Sequence, residues 1–208
     1  MENAGAAIVR RMQIIINDIP SKKIIIFCGK GNNGGDGFVV ARHLSQLGAN
    51  ITVFLAGTLT ELKEDAKTNA ISVENLEIPI RELNTDNINS FDHKLRHADI
   101  VVDALFGTGL SKAVTGFMEK VINKINQHEK YTISVDINSG IDSDSGNLIG
   151  PYVLSDITFA LASMKKSHLL HPAAGAMKTV ELLDIGIPGR YNKDIQTHLL
   201  EEKDIKNI

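Results

Sequence analysis

Residues 24–56 constrain the fold more than any other part of the sequence. Residues 24–28 form an apolar, β-rich run that is long enough for a buried strand and too short for a helix. Five glycines follow within residues 29–37, and then Val40, Leu44 and Leu47 mark one face of a helix that Gly48 closes. Residues 51–55 form a second strand-like run. The order of strand, glycine-rich turn, helix and strand predicts half of a nucleotide-binding α/β sheet.

The glycine-rich turn is suited to binding an anion. Glycines permit positive φ angles and bring backbone N–H groups close to a ligand, and a helix that begins there adds unpaired amides and a positive dipole end. Gly29, Gly31 and Gly34 satisfy the dinucleotide pattern G-x-G-x-x-G. An NAD-dependent oxidoreductase also needs an acid after the second strand for the ribose 2′-hydroxyl, and Leu55-Ala56-Gly57 supplies none. We therefore expect a phosphorylated ligand that is bound in another way.

The same turn carries polar side chains that a plain phosphate site does not need. They are Asn32, Asn33 and Asp36. The simplest interpretation makes Asp36 the N-cap of the following helix. Two amides and a carboxylate in one turn also favour contacts to a ribose, or to a cation that prefers oxygen ligands.

Composition excludes several kinds of partner. The 208 residues suit one domain, with an N-terminal helix at 2–17, a sheet core at 23–185 and a polar tail at 190–208. The net charge of −3 gives no basic surface of the kind that binds nucleic acid or an anionic membrane. No apolar run is long enough to span a membrane. Cys28, the single cysteine, cannot form an intrachain disulfide, and the N-terminal residues show no signal-peptide core. These features predict a cytoplasmic location.

The remaining periodicities predict further elements of the same kind. We expect strands at 77–81, 100–106, 131–136, 156–161 and 178–183, and helices at 60–73, 114–128 and 193–208, with 84–96 as a helix or loop. His93 and His97 have the spacing of a metal pair, but the segment lacks further ligands, and we interpret them as surface residues. His168 and His171 have no partner glutamate, and their spacing argues against zinc.

Two more predicted strands end in acidic, glycine-containing turns. Asp103 lies in an apolar run that leads into Gly107-Thr108-Gly109, and Asp136 ends a run that leads into Asn138-Ser139-Gly140. A buried carboxylate such as Asp103 is costly unless it is paired, hydrogen-bonded or bound to a cation. Because the carboxyl ends of parallel strands form the ligand crevice of an open sheet, we expect all three turns to meet at one edge.

The motifs GKGNNGGDG, VDALFGTGL and SVDINSGID resemble the NAD(P)H-hydrate epimerase family, also called the YjeF N-terminal domain. The similarity extends from residue 1 to about residue 188. It implies an α/β fold, a Rossmann-like three-layer α/β/α sandwich with a mostly parallel sheet. It also implies an isomerase that interconverts the R and S epimers of NADHX and NADPHX for metabolite repair, with one potassium ion per subunit and a homodimer. A separate dehydratase that accepts only the S epimer is the expected pathway partner, unless this chain is a fragment.

The resemblance also assigns residues by position. Substrate binding falls on Asn32, Asn33, Gly34, Gly35, Asp36, Gly107, Thr108, Gly109, Leu110, Ser111, Lys112, Ala113 and Asp136. Potassium ligands fall on Asn33, Asp103 and Ser139, and Lys165 matches a lysine that follows a later strand. The family usually has proline at the position of Asn138, so we expect a looser turn before Ser139.

The implied chemistry needs a group that transfers a proton. C6 of the hydrated ring bears a hydroxyl next to nitrogen, so epimerisation can proceed through loss of hydroxide to an iminium or through ring opening. Either route moves a proton at that hydroxyl, and we assign this to Asp136 with Lys165 assisting. The alternative for Asp136 is that it only holds the ribose. A non-catalytic nucleotide- or protein-binding scaffold is the alternative function, disfavoured because Asp36, Asp103, Asp136 and Ser139 are all present.

Overall fold

Helices and strands alternate from the N-terminus to the fifth strand, and the last three strands of the described chain follow one another without an α-helix between them. The computed structural model describes residues 1–89, 91–192, 197 and 199. In chain order the elements are α1 (Glu2–Ile15), β1 (Lys23–Cys28), α2 (Asn32–Gln46), β2 (Asn50–Ala56), α3 (Glu64–Asn75), β3 (Ile80–Leu83), α4 (Asp92–Arg96), β4 (Ile100–Ala104), α5 (Gly116–Gln127), β5 (Tyr131–Val135), β6 (Ile157–Leu161) and β7 (Val180–Leu183). The predicted helix at 193–208 lies outside the described residues, apart from the isolated positions 197 and 199.

The strands form one parallel sheet of seven strands in the order β3-β2-β1-β4-β5-β6-β7. The chain winds outward from β1 to β3 and then returns to place β4 on the other side of β1. This reversal creates a switch point between β1 and β4, where the loops after neighbouring strands leave in opposite directions and open a crevice. The expectation of a mostly parallel sheet is confirmed.

Helices cover both faces of the sheet, because the central strands are apolar on both sides. Ile24 and Ile26 of β1 belong to the same core as α1, α2 and α3. The alternate residues Ile25 and Phe27 belong to a second core, which contains Leu95 of α4 and the apolar face of α5. The fold is therefore the expected three-layer α/β/α sandwich.

Two predicted starts are wrong by three residues or more, whereas the other helix and strand boundaries differ by at most two residues. The strand expected at 77–81 occupies Ile80–Leu83, because Glu77 adopts a left-handed φ of 57° in the turn after α3. The helix expected from residue 60 begins instead at Glu64. A short 3-10 turn precedes it, and Thr58 caps that turn together with Glu61, whose carboxylate accepts the Thr58 N–H at 3.0 Å.

Within the part of the chain that the structure describes, no helix combines the length and the apolar character that crossing a lipid bilayer requires.

Candidate functional site

The three glycine-containing turns meet at the carboxyl edge of the sheet, as the sequence predicts. They surround a cavity of about 660 Å³ beside the switch point between β1 and β4. Its walls come from the start of α2, from the loop after β4 and from the residue after β5, with Asn32, Asn33, Asp36, Leu105, Phe106, Gly107, Thr108, Gly109, Leu110, Ser111, Lys112 and Asp136 among the lining residues.

The first turn is built differently from the sequence expectation. Helix α2 begins at Asn32 with Gly31 as its N-cap, so Asp36 lies inside the helix and the prediction that it is the N-cap is wrong. The glycines here serve close packing rather than positive φ. A Cβ on Gly34 would lie 1.9 Å from the carbonyl oxygen of Gly29, and a Cβ on Gly29 would lie 1.9 Å from the carbonyl oxygen of Leu105.

Three of the predicted substrate residues do not line this cavity. Gly34 packs against the backbone of Gly29 under the first turn of α2. Gly35 faces Met1 and the backbone of Ala66. Ala113 is exposed beyond the end of the loop that contributes residues 105–112. The other predicted substrate residues surround the cavity together.

The carboxylate of Asp103 is fully buried and fully hydrogen-bonded within the protein. One oxygen accepts the Ser139 hydroxyl at 2.6 Å and the Leu105 N–H at 3.2 Å. The other accepts the Ser139 N–H at 2.9 Å and the hydroxyl of Ser134, its neighbour on β5, at 3.1 Å. Burial raises the pKa of Asp103, and the hydrogen bonds from Ser139 oppose that increase. The sequence analysis left open whether Asp103 is ion-paired, hydrogen-bonded or bound to a cation, and in the structure it is hydrogen-bonded.

Asn33 and Ser139 converge on the same piece of backbone. The Asn33 amide donates to the carbonyl oxygen of Phe106 at 2.8 Å, and the Phe106 N–H donates to the Ser139 hydroxyl at 2.9 Å. Asn33, Asp103 and Ser139 therefore belong to one hydrogen-bonded cluster, and amide, carboxylate and hydroxyl oxygens are the ligand types that a hard cation prefers. Neither here nor at any other point of the described residues is there a group of three or more His, Cys, Asp or Glu side chains placed to hold a metal.

Asp136 occupies a strained position at the end of β5. Its φ of 64° is left-handed, which is uncommon for a residue other than glycine and is found at functional sites. The side chain accepts the Leu161 N–H at 3.0 Å and contacts the ammonium group of Lys165. Lys165 also donates to the carbonyl oxygen of Leu161 at 2.7 Å. The two predicted catalytic residues are therefore a directly contacting ion pair.

His168, which we considered in the sequence only as a zinc ligand, holds this pair in place. Its Nδ1 accepts the backbone N–H of Lys165 at 3.0 Å, so its Nε2 carries the proton and donates to the carbonyl oxygen of Asp136 at 2.8 Å. Burial lowers the pKa of His168, in keeping with a neutral ring that has one donor and one acceptor. In the sequence, only its position three residues after Lys165 hinted at this role. In the structure, His168 ends a short 3-10 turn that follows Lys165.

Asn138 anchors the third turn, and the expectation of a looser turn is wrong. Its side chain is fully buried. The amide nitrogen donates to the carbonyl oxygens of Val153 at 2.9 Å and Ala176 at 3.1 Å, while the amide oxygen accepts the hydroxyls of Ser155 and Thr158. This network replaces the rigidity that a proline would give the backbone before Ser139.

Asp36 is a carboxylate of this cavity whose pKa lies near neutral pH. Burial raises the pKa of Asp36 to about 7, the N-terminal amine opposes the increase, and repulsion from Asp136 adds to it. The amine lies 3.8 Å from the carboxylate. The ordinary pKa of an aspartate is about 3.9, so between pH 4 and 7 the folded protein keeps a proton that the unfolded chain releases. Stability must therefore fall as the pH rises through this range.

We expect the Asp36→Asn variant to remove this pH dependence. Its melting temperature should match that of the wild-type protein near pH 4.5 and exceed it by about 5 °C at pH 8, because only the ionised form of Asp36 is destabilising. Scanning calorimetry at both pH values measures the difference, with the exposed Asp144→Asn as the matched control. An equal change of melting temperature at pH 4.5 and pH 8 would contradict the raised pKa of Asp36.

The fold and the cavity define a class: a doubly wound parallel α/β domain whose switch-point crevice is lined by amides, carboxylates and lysines. The family described as "YjeF-related protein N-terminus" matches residues 1–167. The chain belongs to this family.

Relatives with assigned names support the same grouping. The chain is 39% identical over 190 residues to the bifunctional NAD(P)H-hydrate repair enzyme Nnr of Moorella thermoacetica, which covers 90% of this chain and 36% of that protein. It is 39% identical over 167 residues to the NAD(P)H-hydrate epimerase of Nitrosopumilus maritimus, covering 80% of this chain and 75% of that protein. The epimerase of Pirellula staleyi is 34% identical, with 90% and 82% covered. The chain thus spans about a third of the bifunctional relative and most of each named epimerase.

A solved structure shares the fold. The crystal structure of yeast ynu0, YNL200c, superposes with a TM-score of 0.73 at 23% identity, over 97% of this chain and 84% of that one.

Proposed function

We propose that this chain is an NAD(P)H-hydrate epimerase that interconverts the R and S epimers of NADHX and NADPHX. The observation that carries the proposal is Asp136, which contacts Lys165 and lines a cavity to which all three signature motifs contribute residues. The named epimerases that this chain largely covers support the reaction class. A dehydratase that consumes the S epimer is the partner reaction, by analogy with the bifunctional relatives.

Asp136 and Lys165 supply the proton transfer that either route of epimerisation needs. Loss of the C6 hydroxyl requires a donor at that oxygen, and ring opening requires a base at the same oxygen. The contacting carboxylate and ammonium groups place a proton acceptor and a proton donor side by side, so the pair can serve in both directions of a reversible reaction. His168 fixes the backbone of both residues, so the pair is already oriented before substrate binds.

The rest of the cavity has the features that a dinucleotide requires. The first turn of α2 presents unpaired backbone amides at Asn32 and Asn33, which suit the pyrophosphate. Opposite them, the loop after β4 contributes Gly107 and Gly109, whose missing side chains let a ligand approach the backbone.

A coupled assay tests the proposal directly. We expect the protein, incubated with R-NADHX and an S-specific dehydratase, to accelerate NADH formation well above the rate with dehydratase alone. Heat-inactivated protein gives the rate of spontaneous epimerisation. NADH formation no faster than that background would overturn the proposed function.

We also propose that Asn33, Asp103 and Ser139 hold a potassium ion. The support is chemical: Asn33 and Ser139 both hydrogen-bond to the Phe106 backbone, and the Ser139 hydroxyl donates to the Asp103 carboxylate, so amide, carboxylate and hydroxyl groups lie close together beside the cavity. A bound potassium ion supplies a fixed positive charge beside the substrate, and the three protein groups would orient around it.

The potassium proposal predicts ion-specific stabilisation. A ligand that binds only the folded state raises its stability, so we expect a higher melting temperature in potassium chloride than in tetramethylammonium chloride at equal ionic strength. Asn33→Ala should lose that difference, and Asn32→Ala, at the exposed neighbouring position, should keep it. Equal melting of the wild-type protein in both salts would contradict the site.

A further inference from the structure

A cavity of about 420 Å³ lies at the amino edge of the sheet, at the opposite end of the strands from the substrate cavity. Its floor consists of two residue pairs from the neighbouring strands β1 and β2, Lys23 with Asn50 and Ile25 with Thr52. These residues alternate along their strands, so their side chains share one face of the sheet. We call this site the amino-edge cavity.

The amino-edge cavity is open because helix α4 is too short to cover this face of the sheet. Helix α4 has five residues and is about 8 Å long, whereas β1 has six residues and is about 20 Å long. Phe91, just before α4, covers the carboxyl half of the face, where it packs against Phe27 and Phe54. The amino half has no such cover.

The walls of the amino-edge cavity carry nitrogen groups and no carboxylate. His93 and Lys94 of α4 and the following His97 form one wall, and Lys23 belongs to the floor. The Lys94 side chain is half-buried, and its ammonium lies 3.4 Å from the Thr52 hydroxyl. Within the described residues, no carboxylate forms an ion pair with either lysine. Because a partly desolvated charge without a counterion is costly, the cavity favours a ligand that brings an anion.

The acids that flank α4 in the sequence have other partners. Asp92 contacts the ammonium of Lys124 at 2.7 Å and the ring of His128 at 3.4 Å. Asp99 accepts the backbone N–H of Lys23 at 2.8 Å and does not line the cavity. Neither carboxylate therefore neutralises the nitrogen groups of the amino-edge cavity.

The two histidines suit an anion better than a metal ion. The centroids of the His93 and His97 rings lie 4.6 Å apart, and neither ring has a hydrogen-bond partner in the described part of the chain. A protein metal site usually has three or more ligands, whereas the described residues offer no such group and the nearby ammonium groups would repel a cation. A ring N–H of each histidine can instead donate to an anionic oxygen.

We propose that the amino-edge cavity binds a phosphate ester, a small organic molecule with a terminal phosphate group. The phosphate accepts charge-assisted hydrogen bonds from Lys94 and further ones from His93 and His97. A volume of 420 Å³ falls within the range of about 300–1,000 Å³ that is typical of small-molecule sites, and Ile25 and Ala98 offer apolar surface to the organic part. Because the strands separate this site from the substrate cavity, the proposal does not rest on the proposed function.

Histidine resonances give a readout at the site itself. In the full chain with isotope-labelled histidine, ribose 5-phosphate should produce a saturable shift of the ring signals of His93 and His97 and leave His43, on α2, unchanged. Inorganic phosphate should bind more weakly, because it leaves the apolar surface uncovered. Lys94→Met should weaken the ester about tenfold or more, since it removes a charged donor. Arg96→Met removes an equal charge from an exposed position of the same helix outside the cavity, and should bind like the wild-type protein.

Lys23→Met provides a second variant should Lys94→Met fold poorly. The proposal would be overturned if neither cavity histidine shifted, if the lysine variants bound as tightly as Arg96→Met, or if inorganic phosphate bound as tightly as the ester. Binding in the substrate cavity would shift the signal of His168 instead, and that result would also overturn it. The measurement needs no turnover, so an inactive protein could keep this site and an active protein could lack it.

Discussion

Replacing Asp136 with asparagine should reduce the turnover rate of R-to-S epimerisation by about 10²- to 10⁴-fold, the usual contribution of a positioned acid–base group. The variant should still fold. Asparagine tolerates the left-handed φ of 64° at this position, and its amide oxygen can still accept the Leu161 N–H. The amide cannot take up or release the proton, so the loss should appear in kcat. The measurement is kcat and KM for R-NADHX in the coupled assay.

The same experiment separates catalysis from binding. If Asp136 only holds the ribose, Asp136→Asn should raise KM and leave kcat near the wild-type value, and that result would contradict the proton-transfer role. Lys165→Met should also lower kcat, since Lys165 is the other member of the pair. Lys166→Gln is the matched control, because Lys166 is exposed and follows Lys165 directly. Its kinetics should match those of the wild-type protein.

The sequence was sufficient where local pattern decides the structure. The central strands β1 and β4 are buried on both faces, so they appear as continuous apolar runs that periodicity identifies. Strand β3 lies at the edge of the sheet with Arg81 and Glu82 exposed, so its weaker pattern was misplaced by three residues at its start. The convergence of the three turns followed from the rule that ligands bind at the carboxyl ends of parallel strands.

The sequence was insufficient where a residue depends on distant parts of the chain. The need for glycine at position 29 comes from the carbonyl oxygen of Leu105, which no local pattern reveals. Likewise, the anchoring of Asn138 depends on hydrogen bonds to segments near Val153 and Ala176. His168 acquires its role only because the fold brings Asp136 to its Nε2. The residues that line the cavity were largely predictable, and the residues that position them were not.

Replacing Asp103 with alanine should lower the free energy of unfolding by about 3 kcal/mol, because the fully buried carboxylate accepts two backbone hydrogen bonds that nothing nearby can replace. The hydroxyl of Ser139 can turn toward the carbonyl oxygen of Phe106, 3.5 Å away. The backbone N–H groups of Leu105 and Ser139 cannot turn, and each buried donor left without a partner costs about 1–3 kcal/mol. Removing a buried charge recovers part of that cost. The net loss of stability should therefore lie in the lower half of the range that two unpaired donors would give.

Urea denaturation measures the loss, and Asp99→Ala is the matched control. Asp99 precedes β4 and accepts the Lys23 N–H at 2.8 Å, but it is exposed, so water can take its place and the loss should stay below about 1 kcal/mol. Because Asp103 ties the loop after β4 to the turn after β5, its loss should loosen two walls of the cavity together. A loss no larger than that of Asp99→Ala would mean that the two amides find other acceptors and that Asp103 does not hold the loops together.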